Sequence, residues 1–420
     1  MLNQSTFFYL KNSLLLWRTK FKFIFLVFGF FIFFSPIDSE EKKESEELTK
    51  PNTKLKTIKI PSSFQFGGFI DSYYLYNLNL PKDTERNYTT QAVRNGEFNI
   101  NLAYLEAKVE EIKYRGRIAF QWGTSVNANY SGEITTEKYS NQTSVKNIQE
   151  AYTGFKLGKD TWIDLGIFFG NIGYESWISH NNVNYTRAYA LDYVPYYSSG
   201  VRLTHNFTEK LSGQLQILNG WQNITDNNKD KSFGSQLKYI FNQYFTLTLN
   251  QFAGNEAPDF ERKQMRYYNN TILEWVLSER FKIIGQFDIG AQKDKQSFVY
   301  EPWLEVYDPS LSEYRETSSK VYRQWYHGTI WMSYLLTPDY RMSFRIERFY
   351  DPKQVMVSTG TPNGFMSNGY TITFDFLEFD PGLLRLEYVY RRSADFLFAY
   401  RDSQTSKKED FFIVAFSMKF

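Results

Sequence analysis

Three histidines, His180, His205 and His327, and no cysteine are all the imidazole and thiol in a chain of 420 residues. Without Cys there are no disulfides, no thiolate metal sites and no thiol nucleophile. The three His are too scattered to argue for a metal site or a triad, and neither G-x-S-x-G nor H-E-x-x-H occurs, so neither an enzyme nor a cofactor is expected. Asn-x-Ser/Thr triplets at Asn87, Asn129, Asn141, Asn184, Asn206, Asn223 and Asn269 are chance matches in loops rich in Asn and Thr. What does recur is charge at alternate positions: Arg115 and Arg117; Arg341, Arg345 and Glu347; Arg385, Glu387 and Arg391. Residues two apart share one face of a strand. Charged ladders of that kind set the ion preference of an aqueous pore. The plainer alternative is that Arg345 pairs with Glu347 and Arg385 with Glu387 across water, merely solvating a lumen.

The elements that must carry these ladders are strands. After Pro61 apolar and polar residues alternate with period two, as in Phe66, Ile70, Tyr74 and Tyr76 against Gln65, Asp71 and Asn77. The first such run, Phe64 to Leu80, is longer than an ordinary globular strand. The dyad returns at Tyr114–Trp122, Phe281–Asp288, Tyr340–Glu347 and Leu384–Arg391. A soluble sandwich would turn the apolar face inward; a membrane barrel turns it to lipid and keeps charges in a wet interior.

The connections separate these cases. Short turns are expected near Glu110–Lys113, Gly158–Thr161, Phe207–Lys210, Asn242–Gln243, Ser278–Arg280, Thr337–Asp339 and Glu378–Gly382. Long polar loops are expected near Pro81–Asn95, Asn127–Lys146, Asn171–Tyr197, Asn219–Lys231, Gly254–Met265, Ala291–Val321, Asp351–Asn368 and Ser393–Glu409. Turns and loops alternate, and together they join about sixteen strands, an even number that leaves both chain ends on the short-turn side. The fold class is therefore all-β, a transmembrane antiparallel barrel over residues 62–420. Only a closed barrel leaves no unpaired edge in hydrocarbon.

Composition agrees. Mean hydropathy of -0.48 with 22% charged residues excludes a bundle of apolar helices. Aromatic residues make up 19% of the chain, a surplus that suits interfacial girdles, with Trp122, Trp162, Trp177, Trp221 and Trp303 near strand ends or in loops. Residues 1–39 read as a cleaved signal peptide, with Lys11, Arg18, Lys20 and Lys22 ahead of the apolar stretch Phe23–Phe34. Residues 40–61 read as a polar periplasmic leader. Removing the signal takes four cations and Asp38 from a formal charge of +2, so strong attraction to nucleic acid is not expected.

At the C-terminus Phe412, Val414, Phe416, Met418 and Phe420 alternate, and the chain as given ends on an aromatic. Phe416, Met418 and Phe420 resemble the terminal strand signal read by the barrel assembly machinery. Four further patches carry a wider resemblance: GGFIDSYYLYNLNLP at Gly67–Pro81, GIFFGNIGYESW at Gly166–Trp177, NYTRAYALDYVPYYSSGVRL at Asn184–Leu203 and LNGWQNITDNN at Leu218–Asn228. In their order and spacing, the region from about Phe64 to Phe420 resembles the OmpL-like β-barrel porin family of Gram-negative and spirochete outer membranes. That resemblance implies passive passage of small hydrophilic solutes or ions, with lipid and the assembly machinery as partners and no cofactor. A homotrimer would be in keeping with other sixteen-stranded porins. The charged leader and the high Phe and Tyr content depart from a generic porin.

A barrel of this size should enclose an aqueous channel. The basic ladders fall on one wall, from the thirteenth strand round to the third, and Gln214, Gln216, Thr246, Thr248 and Asn250 make the far wall mostly neutral. The third long loop, in the position where general porins fold a loop inward, offers Glu175, His180, Arg187 and Asp192 for a constriction of mixed sign. The competing reading is a plugged barrel whose long external loops serve as adhesin or ligand receptor.

Overall fold

The computed structural model describes residues 61–133, 145–294, 298–300, 314–316 and 321–420. Sixteen strands, each paired antiparallel with the next in sequence, close the last onto the first as one barrel. They are β1 (Gln65–Asn77), β2 (Phe98–Glu110), β3 (Tyr114–Trp122), β4 (Ile148–Gly158), β5 (Thr161–Phe169), β6 (Tyr197–Asn206), β7 (Leu211–Leu218) and β8 (Ser232–Asn242). The second half comprises β9 (Phe245–Asn255), β10 (Met265–Val276), β11 (Phe281–Lys293), β12 (Tyr322–Thr337), β13 (Tyr340–Asp351), β14 (Phe365–Phe376), β15 (Gly382–Ser393) and β16 (Lys408–Lys419). Short ladders pair Phe298–Tyr300 with Tyr314–Glu316 in the sixth long loop and Phe398–Tyr400 with Gln404–Ser406 in the eighth. The expected signal peptide, and the leader up to Ile60, lie outside the described residues, as does Trp303.

Seven short turns and eight long connections fall where the sequence places them. The opening strand is shorter than its alternation predicts. It stops at Asn77 because Leu80 takes a positive φ of 48° and its N–H bonds back to the Asn77 carbonyl at 3.1 Å, turning the chain off the wall.

The two faces of the wall are sorted as a barrel in lipid requires. Phe66, Ile70, Tyr76, Ile118, Phe120, Phe344, Ile346, Phe412, Val414 and Phe416 are exposed on the outside. Asp71, Gln121, Asp164, Asn250, Asp288 and Glu387, on the opposite face of their strands, are buried. The main apolar cluster lies within the barrel, where Phe69, Tyr197, Trp325, Trp331 and Phe365 of the wall join Trp177 and Tyr189 of the third loop. Not all the tryptophans sit in girdles: Trp122 is exposed at the end of β3, but Trp177 and Trp221 are buried and Trp162 lies beneath Arg115 at 4.5 Å. Stacking on interior cations and rings removes those side chains from the interface.

The seam runs from Phe69 opposite Lys419 to Asn77 opposite Phe411. Phe420 extends it, donating its N–H to the Gly68 carbonyl at 3.1 Å and accepting from the Gly68 N–H at 2.9 Å. A Cβ at position 68 would come within 2.5 Å of the Phe420 ring, so glycine there leaves the ring its space.

Candidate functional site

The third long connection, residues 170–196, turns into the lumen. Its neck is closed by the Gly170 N–H on the Tyr196 carbonyl at 2.9 Å. Three residues on, Gly173 adopts φ +94° with Leu191 packed on it; a Cβ would sit 2.5 Å from the Leu191 Cδ1. The loop meets the barrel wall nearly all the way round. Asn171 Nδ2 donates to the Ser235 carbonyl on β8 and Asn250 on β9, the Gly173 N–H to Asn270 on β10, and the Tyr174 N–H to Gln286 on β11. Trp177 Nε1 donates to Gln121 on β3 at 2.9 Å. Ser179 and Tyr185 hydroxyls both donate to the Asp71 carboxylate on β1, at 2.8 and 2.9 Å. Asn184 Nδ2 donates to Thr373 on β14 at 2.6 Å.

Five of the eight ladder charges serve this docking. Arg345 on β13 donates to the Thr186 carbonyl and hydroxyl and pairs with Glu347 at 3.2 Å, as one sequence reading expects. Glu347 accepts the Tyr189 N–H at 2.6 Å. Arg385 on β15 pairs with Asp375 at 3.0 Å instead of Glu387, and its guanidinium holds the Ser179, Asn182 and Asn184 carbonyls. Glu387 is free for the loop because Arg385 turns to Asp375; it accepts the Tyr185 and Thr186 N–H groups at 2.6 and 2.9 Å. Arg391 lies over the Tyr189 ring at 4.3 Å. All five point inward, as their alternation predicts, but the loop covers them and they are buried.

The constriction residues disperse. Glu175 accepts from Trp331 Nε1 at 2.9 Å and from the Ala188 N–H at 2.7 Å, with Arg345 3.5 Å away. Arg187 staples the loop to itself through the Ser176, Tyr185 and Trp177 carbonyls at 2.8, 2.6 and 2.7 Å. Asp192 accepts from the Thr90 hydroxyl of the first long loop at 2.7 Å. These three are buried and brace the loop from within instead of facing water. His180, half-buried at the rim, contacts the Ser417 hydroxyl at 3.1 Å and meets the Phe69 ring edge-on. Burial raises the carboxyl pKa of Glu175, against the pull of Arg345 and Arg187. Burial, reinforced by Lys419, Arg385 and Arg341, lowers the His180 imidazole to about 4, with Asp380 opposing.

The remaining ladder residues, Arg115, Arg117 and Arg341, lie toward the short-turn end and keep contact with solvent. Arg115 and Arg202 share Asp164 at 2.7 and 2.9 Å; the arginines are 20% and 16% exposed and the carboxylate 0%. Arg117, 19% exposed, bonds Glu150 at 4% and pairs with Glu106 at 2.6 Å. Arg341, 26% exposed, shares Asp375 at 0% with Arg385. In the Asp164, Glu150 and Asp375 contacts the carboxylate is withdrawn and the guanidinium faces water. The far wall is mostly neutral, as expected, with Lys238 opposite Thr248 as a cation on it, and is linked by amides: Gln214 to Gln236 at 3.1 Å, Gln236 to Asn250 at 2.9 Å, and Asn250 to Asn270 at 2.6 Å. The sequence reading missed Arg202, Asp164, Glu150 and Asp375 as inward partners. The same period-two rule marks them, since Asp164 alternates with Ile163 and Leu165, and Arg202 with Val201 and Leu203.

A closed sixteen-stranded barrel, apolar outside, polar within and crossed by an infolded third loop, defines a channel-type β-barrel. The chain belongs to the family described as "Putative beta-barrel porin-2, OmpL-like", which matches residues 63–420. Its fold is similar to the outer membrane channel DcaP of Acinetobacter baumannii, at 12% identity and a TM-score of 0.53 over 85% of this chain and 97% of that one. It is also similar to outer-membrane expressed OmpT of Vibrio cholerae, at 7% identity and 0.52 over 86% and 100%. An anion-selective porin from Comamonas acidovorans aligns at 10% identity and 0.51 over 85% and 99%. Comparison with curated proteins finds no match. Family membership makes the protein a channel-forming barrel of the porin class.

Proposed function

We propose that the protein passes small hydrophilic solutes or ions through its lumen by diffusion, with preference for anions, from an outer membrane of Gram-negative or spirochete type. The observation that carries the preference is the exposure asymmetry of Arg115, Arg202 and Arg341 against Asp164 and Asp375. Each of those carboxylates is shared by two arginines, so each group keeps a net positive charge at the water surface. No catalytic step or cofactor enters this reading. Phe416, Met418 and Phe420 would be the assembly signal, and a homotrimer the expected assembly. The test is the reversal potential of the folded chain in a planar bilayer across a potassium chloride gradient. An anion-selective sign is expected, shifting toward cations in an Arg115→Ala/Arg202→Ala variant; a cation-selective native channel would overturn the preference. A second reading, a plugged barrel acting through its external loops, is favoured by the third loop's contacts from β8 round to β1 and β3. Silence from a correctly folded barrel would turn the assignment to it.

A further inference from the structure

The outer surface near the ends of β13 to β16 carries a cluster of cations that the lumen does not use. The barrel register sets Arg348 opposite Asn368, Asn368 opposite Arg392, and Arg392 opposite Lys408, one outward row across four adjacent strands. The next row toward the membrane centre is Ile346, Tyr370, Tyr390 and Asp410, and the one after it Phe344, Ile372, Tyr388 and Phe412. Cations thus stand one step above a tyrosine belt, with apolar wall below it. Interfacial aromatics sit at headgroup level, so the row of cations lies where lipid headgroups begin.

The row borders a cavity of about 270 Å³ lined by Arg348, Asn368, Arg392, Ser393 and Lys407 among others, with no carboxylate in its lining. Lys407 is held there by its backbone carbonyl, which accepts from the Ser393 N–H at 2.7 Å and hydroxyl at 3.1 Å. Arg348, Arg392, Lys407 and Lys408 are exposed, and none of them forms an ion pair among the described residues. Of the two nearby acids, Asp395 binds the Asn363 N–H and side-chain amide, both at 2.8 Å, and feels the Lys407 charge without an ion pair, while Asp410 receives the Tyr388 hydroxyl at 3.5 Å; Lys407 Nζ lies 5.0 Å from the Phe396 ring.

We propose that this rim is a binding site for the phosphate of a membrane lipid in the leaflet at the long-loop side. Two guanidinium forks and an ammonium around one polar cavity match the several acceptor oxygens of a phosphate monoester. The apolar strip through Tyr370, Ile346, Ile372 and Phe344 then receives its acyl chains, and this continuity is why the occupant is a lipid and not a free anion. The proposal rests on the reading of the chain as a membrane barrel.

The test uses the folded full chain in detergent micelles and native mass spectrometry with dioleoyl phosphatidic acid, dioleoylglycerol or inorganic phosphate as the probe. One phosphatidic acid per barrel should be retained in preference to dioleoylglycerol, with inorganic phosphate a weak competitor. An Arg348→Ala/Arg392→Ala/Lys407→Ala variant should bind roughly 100-fold more weakly. The single charge reversal Lys407→Glu should weaken it too, should the triple variant fold poorly. Retention unchanged in the variants, dioleoylglycerol held equally well, or inorganic phosphate bound as tightly as the lipid would each overturn the proposal. Bilayer conductance separates the two readings. A silent barrel that keeps its phosphatidic acid supports the lipid site while ending the porin reading, and a conducting barrel that retains none does the reverse.

Discussion

The Glu387 carboxylate receives two loop N–H groups, from Tyr185 and Thr186, and the Thr373 hydroxyl, so removing it orphans backbone donors inside the barrel. A Glu387→Ala variant should release the middle of the third loop and cost roughly 3 kcal/mol of loop docking. Single-channel recording should then find larger and noisier conductance than in the native barrel; an unchanged current would place the solute path away from this loop. His180 gives the pH dependence. Its pKa is lowered from 6.5 to about 4, so its contribution to docking is complete above 6.5 and is lost as pH falls through that window. Glu175 has the opposite sign, because a raised carboxyl pKa favours the docked loop at low pH and loses that contribution as pH rises. Acidification from pH 7 to 4 should therefore loosen the rim at β16 through His180 while relieving the burial of the Glu175 charge. Hydrogen-exchange protection of residues 176–182, relative to the intrinsic rate at each pH, should fall over that range in the native chain and stay flat in His180→Asn. At this scale alternation told which side of the wall each charge faces, since Arg345, Glu347, Arg385, Glu387 and Arg391 all point inward. It did not tell that a loop some two hundred residues earlier would bind them.

Among the elements, the third loop depends on its neck as much as on its anchors. Gly173 combines a left-handed φ with the Leu191 side chain against its Cα, so Gly173→Val should both strain the backbone and push Leu191 away. Proteolysis in the loop, slow in the native chain, should become rapid in this variant while the strands stay intact; equal cutting rates would mean that the anchors alone hold the loop. The strands themselves were readable because each needs only local information. Period two sets the faces, and short polar breaks such as Lys159–Asp160 and Pro338–Asp339 set the turns. The loop's interior contacts were not readable, because Asn184, Tyr185 and Thr186 form no periodic pattern, and their partners on β1, β14 and β15 are near only once the barrel has closed.

For the whole molecule, closure is the decisive event, and Phe420 takes part in it. Deleting Phe420 removes two backbone hydrogen bonds to Gly68 and a ring from the seam, which should cost about 2–3 kcal/mol. The urea midpoint of the barrel and the temperature at which it loses its compact mobility on gels should both drop. Gly68→Val should lower them in the same direction, since its side chain would occupy the place of the Phe420 ring. By itself, the sequence determined the strand number, the order of turns and loops, and the apolar outside with its polar inside. Those follow from the two-residue repeat of an extended chain and from turn composition, both local. The tertiary structure alone decided that the third loop crosses the lumen, that Arg385 pairs with Asp375, and that Asp164 is shared by Arg115 and Arg202. It also decided that Arg348, Arg392 and Lys408 align in one outer row. These depend on interstrand register and on the closed circumference, which bring together residues that no sequence spacing relates.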